Sequence, residues 1–525
     1  MIERIGVDSI FSYIGLEKAM AKYKSYDYAQ RVMIPVSLEE QLVPGTLEFA
    51  IQTLVEDRMD MAVFEDRYQN DETGRMAYDP KILLKVILLG YARGLISSRK
   101  MEQACRENVT FMALACGQRP DHSTIAAFVS SMEGEILPLF RDVLLVCEES
   151  DLLGGTFFAL DGCKLPSNAS KDWSGKISDL VRKKEKMEKR VTELLKRQVE
   201  ADQKDNEEEK DQDIFKGVNR TKQMERLKRK AERIRQFLRE NGEKMGRTGK
   251  EIKSNVTDNE SANMMTSHGV VQGYNGQAVV DGKFQVIVHG EAFGEGQDHY
   301  HVAPMVEGAK ENLGEIGYPE DCLEETVLVA DSNYSSPANL EACGEEKLDA
   351  YIPDKNFRTR DPRFATQERW KSQRTKRFGL EDFRYQEDAD EYICPQGKVL
   401  RLRARKAIND GVMYRRYVAE REACEGCEST GRCIRGKVVR RRILCVPVGV
   451  VPGNLLKEMI AKVDTERGRE IYHQRIGIVE PVFANIRAVK GLDRFTLRGK
   501  IKVNIQWVLY CMVHNIGKIM SYGFA

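Results

Sequence analysis

The run Thr156-Phe157-Phe158-Ala159-Leu160-Asp161-Gly162-Cys163-Lys164-Leu165 is almost continuously apolar and is broken by a single carboxylate. Such a run suits a central strand covered on both faces. Asp161 is out of place there, because a buried carboxylate is costly unless it is paired or holds a metal. The pattern recurs downstream. Thr326-Val327-Leu328-Val329-Ala330-Asp331-Ser332-Asn333-Tyr334 reads as a second apolar strand that ends on an aspartate.

The residues between these runs supply the rest of a sheet. Segments 270–281 and 284–290 alternate as two strands around Asp281-Gly282, a strong turn pair. A helix is expected from about Tyr300 to Leu313, another near 337–343, and a strand at 349–353. Three antiparallel strands followed by parallel strands with crossover helices make a mixed α/β sheet. This is the order of a ribonuclease-H-like domain, in which the aspartates of the first and fourth strands come side by side. The first part of that domain spans 151–354.

Inside it, residues 176–250 change to Lys, Glu, Arg and Gln. Met224, Leu227, Ala231, Ile234 and Leu238 keep a heptad seam, with Met187, Val191 and Leu194 as a less complete partner. An inserted helical hairpin is expected, bending between Asp202 and Asp213, and serving as a solvated spacer or a DNA clamp.

Residues 1–150 read as a helical N-terminal domain. Ser37-Leu38-Glu39-Glu40 has the form of a capping box. Asp79-Pro80, Ser97-Ser98 and Asp121-His122 mark further helix starts. Short helices with tight turns fit a helix-turn-helix DNA reader or a bundle docked on the next domain.

Residues 355–465 form a basic, β-rich insertion. Nine Lys/Arg face two Asp/Glu between 355 and 377. Arg369, Arg374 and Lys376 stand there beside Trp370 and Phe378, a mixture suited to phosphates and bases, or to a solvated loop. Cys394, Cys424, Cys427 and Cys433 follow, either as reduced, partly buried thiols or as the four ligands of a structural Zn²⁺.

Residues 466–525 are expected to be C-terminal helices completing the catalytic domain. Here ten Lys/Arg face three Asp/Glu from 467 onward. At helical spacing Tyr472, Arg475, Ile476, Val479, Glu480, Phe483 and Arg487 fall close to one face. Pro481 predicts a kink or a restart of the helix. Arg475 lies well round the helix from Glu480, whereas Arg487 is nearly in line with it, so Arg487 is the expected phosphate contact.

With 525 residues, a net charge of +1 and 31% charged residues, global charge says little about partners. No apolar run reaches membrane-spanning length and the N-terminus lacks a signal-peptide pattern, so a cytoplasmic chain with reduced thiols is expected.

Three carboxylates, Asp161, Asp331 and Glu480, raise one another's pKa if they share a small site as bare anions. Divalent cations relieve that repulsion, and hard oxygen ligands select Mg²⁺ or Mn²⁺. Two such ions roughly 3.5–4 Å apart suit phosphodiester chemistry. Arg475, Arg487 and Lys490 are then candidates to hold flanking phosphates.

Leu160-Asp161-Gly162, Val329-Ala330-Asp331-Ser332-Asn333-Tyr334, and Tyr472-x2-Arg475 with Val479-Glu480-Pro481-Val482-Phe483 resemble the DDE transposases of bacterial insertion sequences. More narrowly, they resemble the branch with a Tyr-Arg-Glu-Lys signature, here with one extra residue between Arg475 and Glu480 and with Arg487 where lysine is usual. Residues 273–278 and 494–500 resemble that group too, as does the helical front end around Pro80–Leu95. The resemblance implies binding to double-stranded DNA at terminal inverted repeats and metal-dependent strand cleavage. It also implies strand transfer into target DNA by a homo-oligomer, in the bacterial cytoplasm. The alternatives are a catalytically silent, domesticated DNA-binding protein and a ribonuclease-H-like nuclease without strand transfer.

Overall fold

A computed structural model describes residues 37–67, 76–202, 210–246, 249–266, 269–367, 378–409, 412–434, 441–447 and 453–523. Taken in chain order, the front end is helical: α1 (Leu47–Thr53), α2 (Pro80–Ala92), α3 (Ser98–Glu107), α4 (Val109–Leu114), α5 (His122–Ser130) and α6 (Ile136–Glu149). Asp79 caps α2 by accepting from Lys81 N, with Pro80 at the first helical position, and Asp121 caps α5 through Ser123 N and Thr124 N. The expected capping box at Ser37 opens no α-helix. Glu39–Gln41 is one 3-10 turn without a side-chain cap, and Thr46 caps α1 instead.

The sheet begins with β1 (Phe157–Pro166). Helices α7 (Ile177–Asp202) and α8 (Lys210–Glu240) leave and return, packing Val191, Leu194 and Met224 together along the seam and Leu180, Ile234 and Phe237 at its base. Then come β2 (Ala262–Thr266), β3 (Gly269–Asp281), β4 (Ile287–Phe293), α9 (Val302–Glu315), β5 (Val327–Ala330), α10 (Pro337–Glu345) and β6 (Asp349–Tyr351). Pairing β1–β3, β3–β4 and β2–β3 is antiparallel, whereas β1–β5 and β5–β6 are parallel. The result is a mixed α/β sheet with β1 at its centre.

A second, five-stranded antiparallel sheet follows, made of β7 (Arg384–Gln386), β8 (Glu391–Ile393), β9 (Val399–Asn409), β10 (Val412–Ala419) and β11 (Ile443–Pro447). The chain closes with α11 (Gly453–Val463), α12 (Glu466–Ala484) and α13 (Lys500–Lys518).

Helix α13 ties the molecule together. Trp507 lies against Gly276 of β3, where an added Cβ would meet the indole at 3.0 Å, and its ring nitrogen donates to Gln277 O at 2.8 Å. Strand β4 ends the sheet on its side, and α13 pairs its open backbone groups through Asn515, which accepts from Ile287 N and donates to Ile287 O, and Asn504, which accepts from Ala292 N. On its other flank Tyr510 stacks on Tyr91 of α2 at 4.6 Å. The front helices and the main sheet therefore share one hydrophobic core, in which α13 is the common element.

Pro481 does not end α12. The helix runs through it and passes into a π-helical turn, Asn485–Val489. Proline removes the hydrogen bond to the carbonyl four residues back. That carbonyl, Gly477 O, instead accepts from Gln285 Nε2 at 2.9 Å.

Candidate active site

Asp161 lies on β1, and Asp331 follows directly on the end of the neighbouring parallel strand β5. Leu160 pairs with Ala330, so the two aspartates follow at the same level. Asp161 is half-buried on β1, and Asp331 lies in the turn just past β5, where its carboxylate accepts from Asn333 N at 2.7 Å and from Asn333 Nδ2 at 3.0 Å. Parallel β-structure leaves both strand ends at one edge, where ligand sites in open α/β sheets form.

The cation between them comes from α12. Val479, Val482, Phe483 and Ile486 pack that helix on the core, which turns Arg475 inward until only 6% of it is exposed. Its Nη1 donates to Asp161 Oδ2 at 2.6 Å. Burial raises the Asp161 carboxyl to about 6, with Arg475 pulling against that shift and Asp331 adding to it. Asp331 is also raised, by burial first, while the Asn333 amide and Arg475 oppose the rise. The guanidinium lies over the Tyr472 ring at 6.0 Å, and that ring meets Phe357 edge-on.

The other residues expected in the site are placed differently. Glu480 is exposed on α12, and among the described residues no ion pair or hydrogen bond holds it. Arg487 is exposed on the π turn and near enough to Cys163 of β1 to work against the burial that pushes this thiol up to about 12. Lys490 is not an exposed phosphate contact. It is buried, and burial lowers its ammonium to about 8. Arg369, Arg374 and Lys376 lie outside the described residues. Of the two arginines, Arg475 and not Arg487 reaches an aspartate.

A buried polar layer below β1 was not anticipated. Asn275 and Gln277 of β3 both donate to Asp298 Oδ1, at 2.6 and 2.8 Å, and Tyr334 Oη donates to Gln277 Oε1. The Asp298 carboxyl is held below its usual range although burial works the other way, because His301 and Asn275 favour its charged form. Asn339 braces the layer by donating to Asp298 O and Tyr334 O. Gly162, next to Asp161, is the opening that admits it, since an added Cβ would stand 2.2 Å from Gln277 Nε2. The sequence signal was available: two amides at alternate positions, 275 and 277, inside an apolar strand.

Among the described residues no group of three or more His, Cys, Asp or Glu side chains is gathered closely enough to hold a metal ion. The aspartate pair nevertheless has the donor chemistry for one. Two hard oxygen donors stand level, and one of them already carries a cationic partner.

Residues 393–520 match a family model described as a transposase DDE domain, and residues 36–131 match one described as a transposase domain (DUF772). Both matches are transposase domains. The first spans the cysteine-bearing insertion, Arg475, Glu480 and α13; the second spans α1 to α5. Together they support a transposase role. No curated protein and no solved structure matches the chain. No helix among the described residues is long and apolar enough to cross a membrane.

Proposed function

We propose that the chain is a DNA transposase whose main sheet is a ribonuclease-H-like catalytic domain with a third carboxylate block of the Tyr-Arg-Glu-Lys kind. The observation that carries this reading is that Asp161 on β1 and Asp331 just past the parallel strand β5 stand level, with Asp161 paired to Arg475. The strand order β4-β3-β1-β5-β6, antiparallel on one side of β1 and parallel on the other, supports the fold assignment.

In this reading Asp161, Asp331 and Glu480 hold Mg²⁺ or Mn²⁺. Two such ions supply activation of a water or a 3′-hydroxyl and stabilise the oxygen that leaves the scissile phosphodiester. The protein's own part is to position and balance charge. Arg475 neutralises Asp161 before cations arrive, and the exposed Arg487 beside β1 takes a flanking phosphate. The polar layer at Gln277 and Asp298 fixes the strand end from behind. The substrates are double-stranded element ends, carrying terminal inverted repeats, and target DNA. The chain works as a homo-oligomer on DNA in the bacterial cytoplasm.

The test is a nicking and joining assay on duplexes carrying the sequences that flank the gene, with and without Mg²⁺. Metal-dependent nicks and joined products are expected from the intact protein. Binding without cleavage would overturn the reading in favour of a silent DNA-binding protein, and cleavage without joined products in favour of a nuclease.

A further inference from the structure

The insertion sheet is short of core. Among the described residues only Phe378, Phe383, Leu400, Tyr417, Ala419 and Leu444 form its buried apolar cluster. Five strands on so small a cluster need another source of stability, and metal staples are one common source. All the cysteines are free, so no disulfide supplies it.

Cys394, Cys424, Cys427 and Cys433 instead face one shared cavity. All four line one cavity of about 20 Å³ between the sheet and two single helical turns, Arg421–Cys424 and Thr430–Cys433. A volume on the order of 10–15 Å³ admits one water-sized occupant. Each of the four is half-buried, whereas Cys445, on β11 of the same sheet, is exposed and outside the group.

The backbone around two of them is shaped as a thiolate cradle. Residues Cys394-Pro395-Gln396-Gly397-Lys398 make a tight turn closed by Gly397 N to Cys394 O and Cys394 N to Lys398 O, each at 2.8 Å. Gly397 takes a φ of +75°, which only glycine adopts freely. The turn presents Lys398 N to Cys394 Sγ at 3.3 Å. In Cys424-Glu425-Gly426-Cys427, Gly426 also takes a positive φ, +69°. Arg442, which also lines the cavity, brings a positive charge to the same place while its Nη1 holds Cys433 O.

We propose that these four cysteines form a closed structural Zn²⁺ site that holds the insertion sheet to its two helical turns. Four thiolates are the donor set of such sites, with zinc–sulfur distances of about 2.3 Å. The sulfurs here surround the cavity without being drawn onto a common point, and the ion supplies that last step of closure. The proposal is independent of the transposase reading, because its readout is metal content rather than DNA cleavage.

The experiment is elemental analysis of the full chain purified under reducing conditions without chelator, followed by Co²⁺ substitution. One zinc per chain is expected, with thiolate-to-cobalt charge-transfer absorption after exchange. The Cys424→Ser variant should lose the metal and the Cys445→Ser variant should keep it. Wild-type protein that holds no zinc and shows no thiolate–cobalt band would overturn the proposal, even if Cys424→Ser does not fold. So would iron with sulfide in place of zinc, or equal metal loss in both variants.

Discussion

Arg475 Nη1 stands 2.6 Å from Asp161 Oδ2, and this ion pair joins α12 to the central strand of the sheet. Breaking a buried pair by removing one partner costs about 3–5 kcal/mol when both groups are fully enclosed. Asp161 keeps 21% side-chain exposure, which places Arg475→Ala toward the lower end of that range. The variant should unfold at lower temperature than wild type without divalent ions. It should also gain more from added Mg²⁺ or Mn²⁺, which replaces the missing positive charge. Thermal unfolding with and without Mg²⁺ measures both effects, and an unchanged metal-induced shift would count against the role given to Arg475.

Gly162→Ala should act through the polar layer. The new methyl group displaces Gln277 from Asp298 and Tyr334. Overpacking of this kind costs about 1–3 kcal/mol. Stability and nicking rate should fall together, and a Gly162→Ala protein as stable as wild type would show that Gln277 has room to move.

The expectations that held and those that did not have different physical origins. Asp161 and Asp331 were legible because a carboxylate inside an apolar run violates the strand pattern wherever the strand lies. The role of Arg475 was not, because helical spacing gives only relative angles. Arg475 and Glu480 are about 140° apart at 100° per residue. Which of them faces the sheet is decided by Val479, Val482 and Ile486, and these bury the Arg475 side. The way Pro481 is accommodated was not legible for a similar reason. The partner that replaces its missing hydrogen bond, Gln285, is almost two hundred residues away in sequence.

Gln285 therefore makes a third prediction. Its side chain donates to Gly477 O and accepts from Lys518 Nζ, both at 2.9 Å, and its backbone is held at φ +63°. Gln285→Ala leaves the exposed carbonyl beneath Pro481 to water, at a cost of about 0.5–1.5 kcal/mol. Urea unfolding should show that loss, and faster hydrogen exchange should appear in α12 before other helices.

Acid should destabilise the fold through two buried histidines. Burial lowers His289 to about 4 and His514 to about 3, and Gln285 O opposes the shift at His514. Both are neutral when folded and become protonated on unfolding below about pH 6.5. Their contribution is thus complete above that value and is lost as pH falls through the folded values, at up to about 1.4 kcal/mol per pH unit for each histidine. Unfolding free energy measured from pH 7 to pH 4 should fall by less than this sum. Asp161, raised to about 6, binds its proton first in the folded state and gains stability over the same window. His514→Gln should flatten the fall.

In the proposed site Asp161, Asp331 and Glu480 serve one metal-dependent phosphodiester reaction, although Glu480 is exposed on α12 while Asp161 is paired with Arg475. Nicking of element-end DNA by Asp161→Asn, Asp331→Asn and Glu480→Gln, each with its thermal stability recorded, tests it most directly. The account predicts that all three remain folded, bind DNA and lose Mg²⁺-dependent nicking by at least about a hundredfold, an effect of about 2.7 kcal/mol in the barrier. Wild-type nicking by the folded Glu480→Gln protein would contradict it.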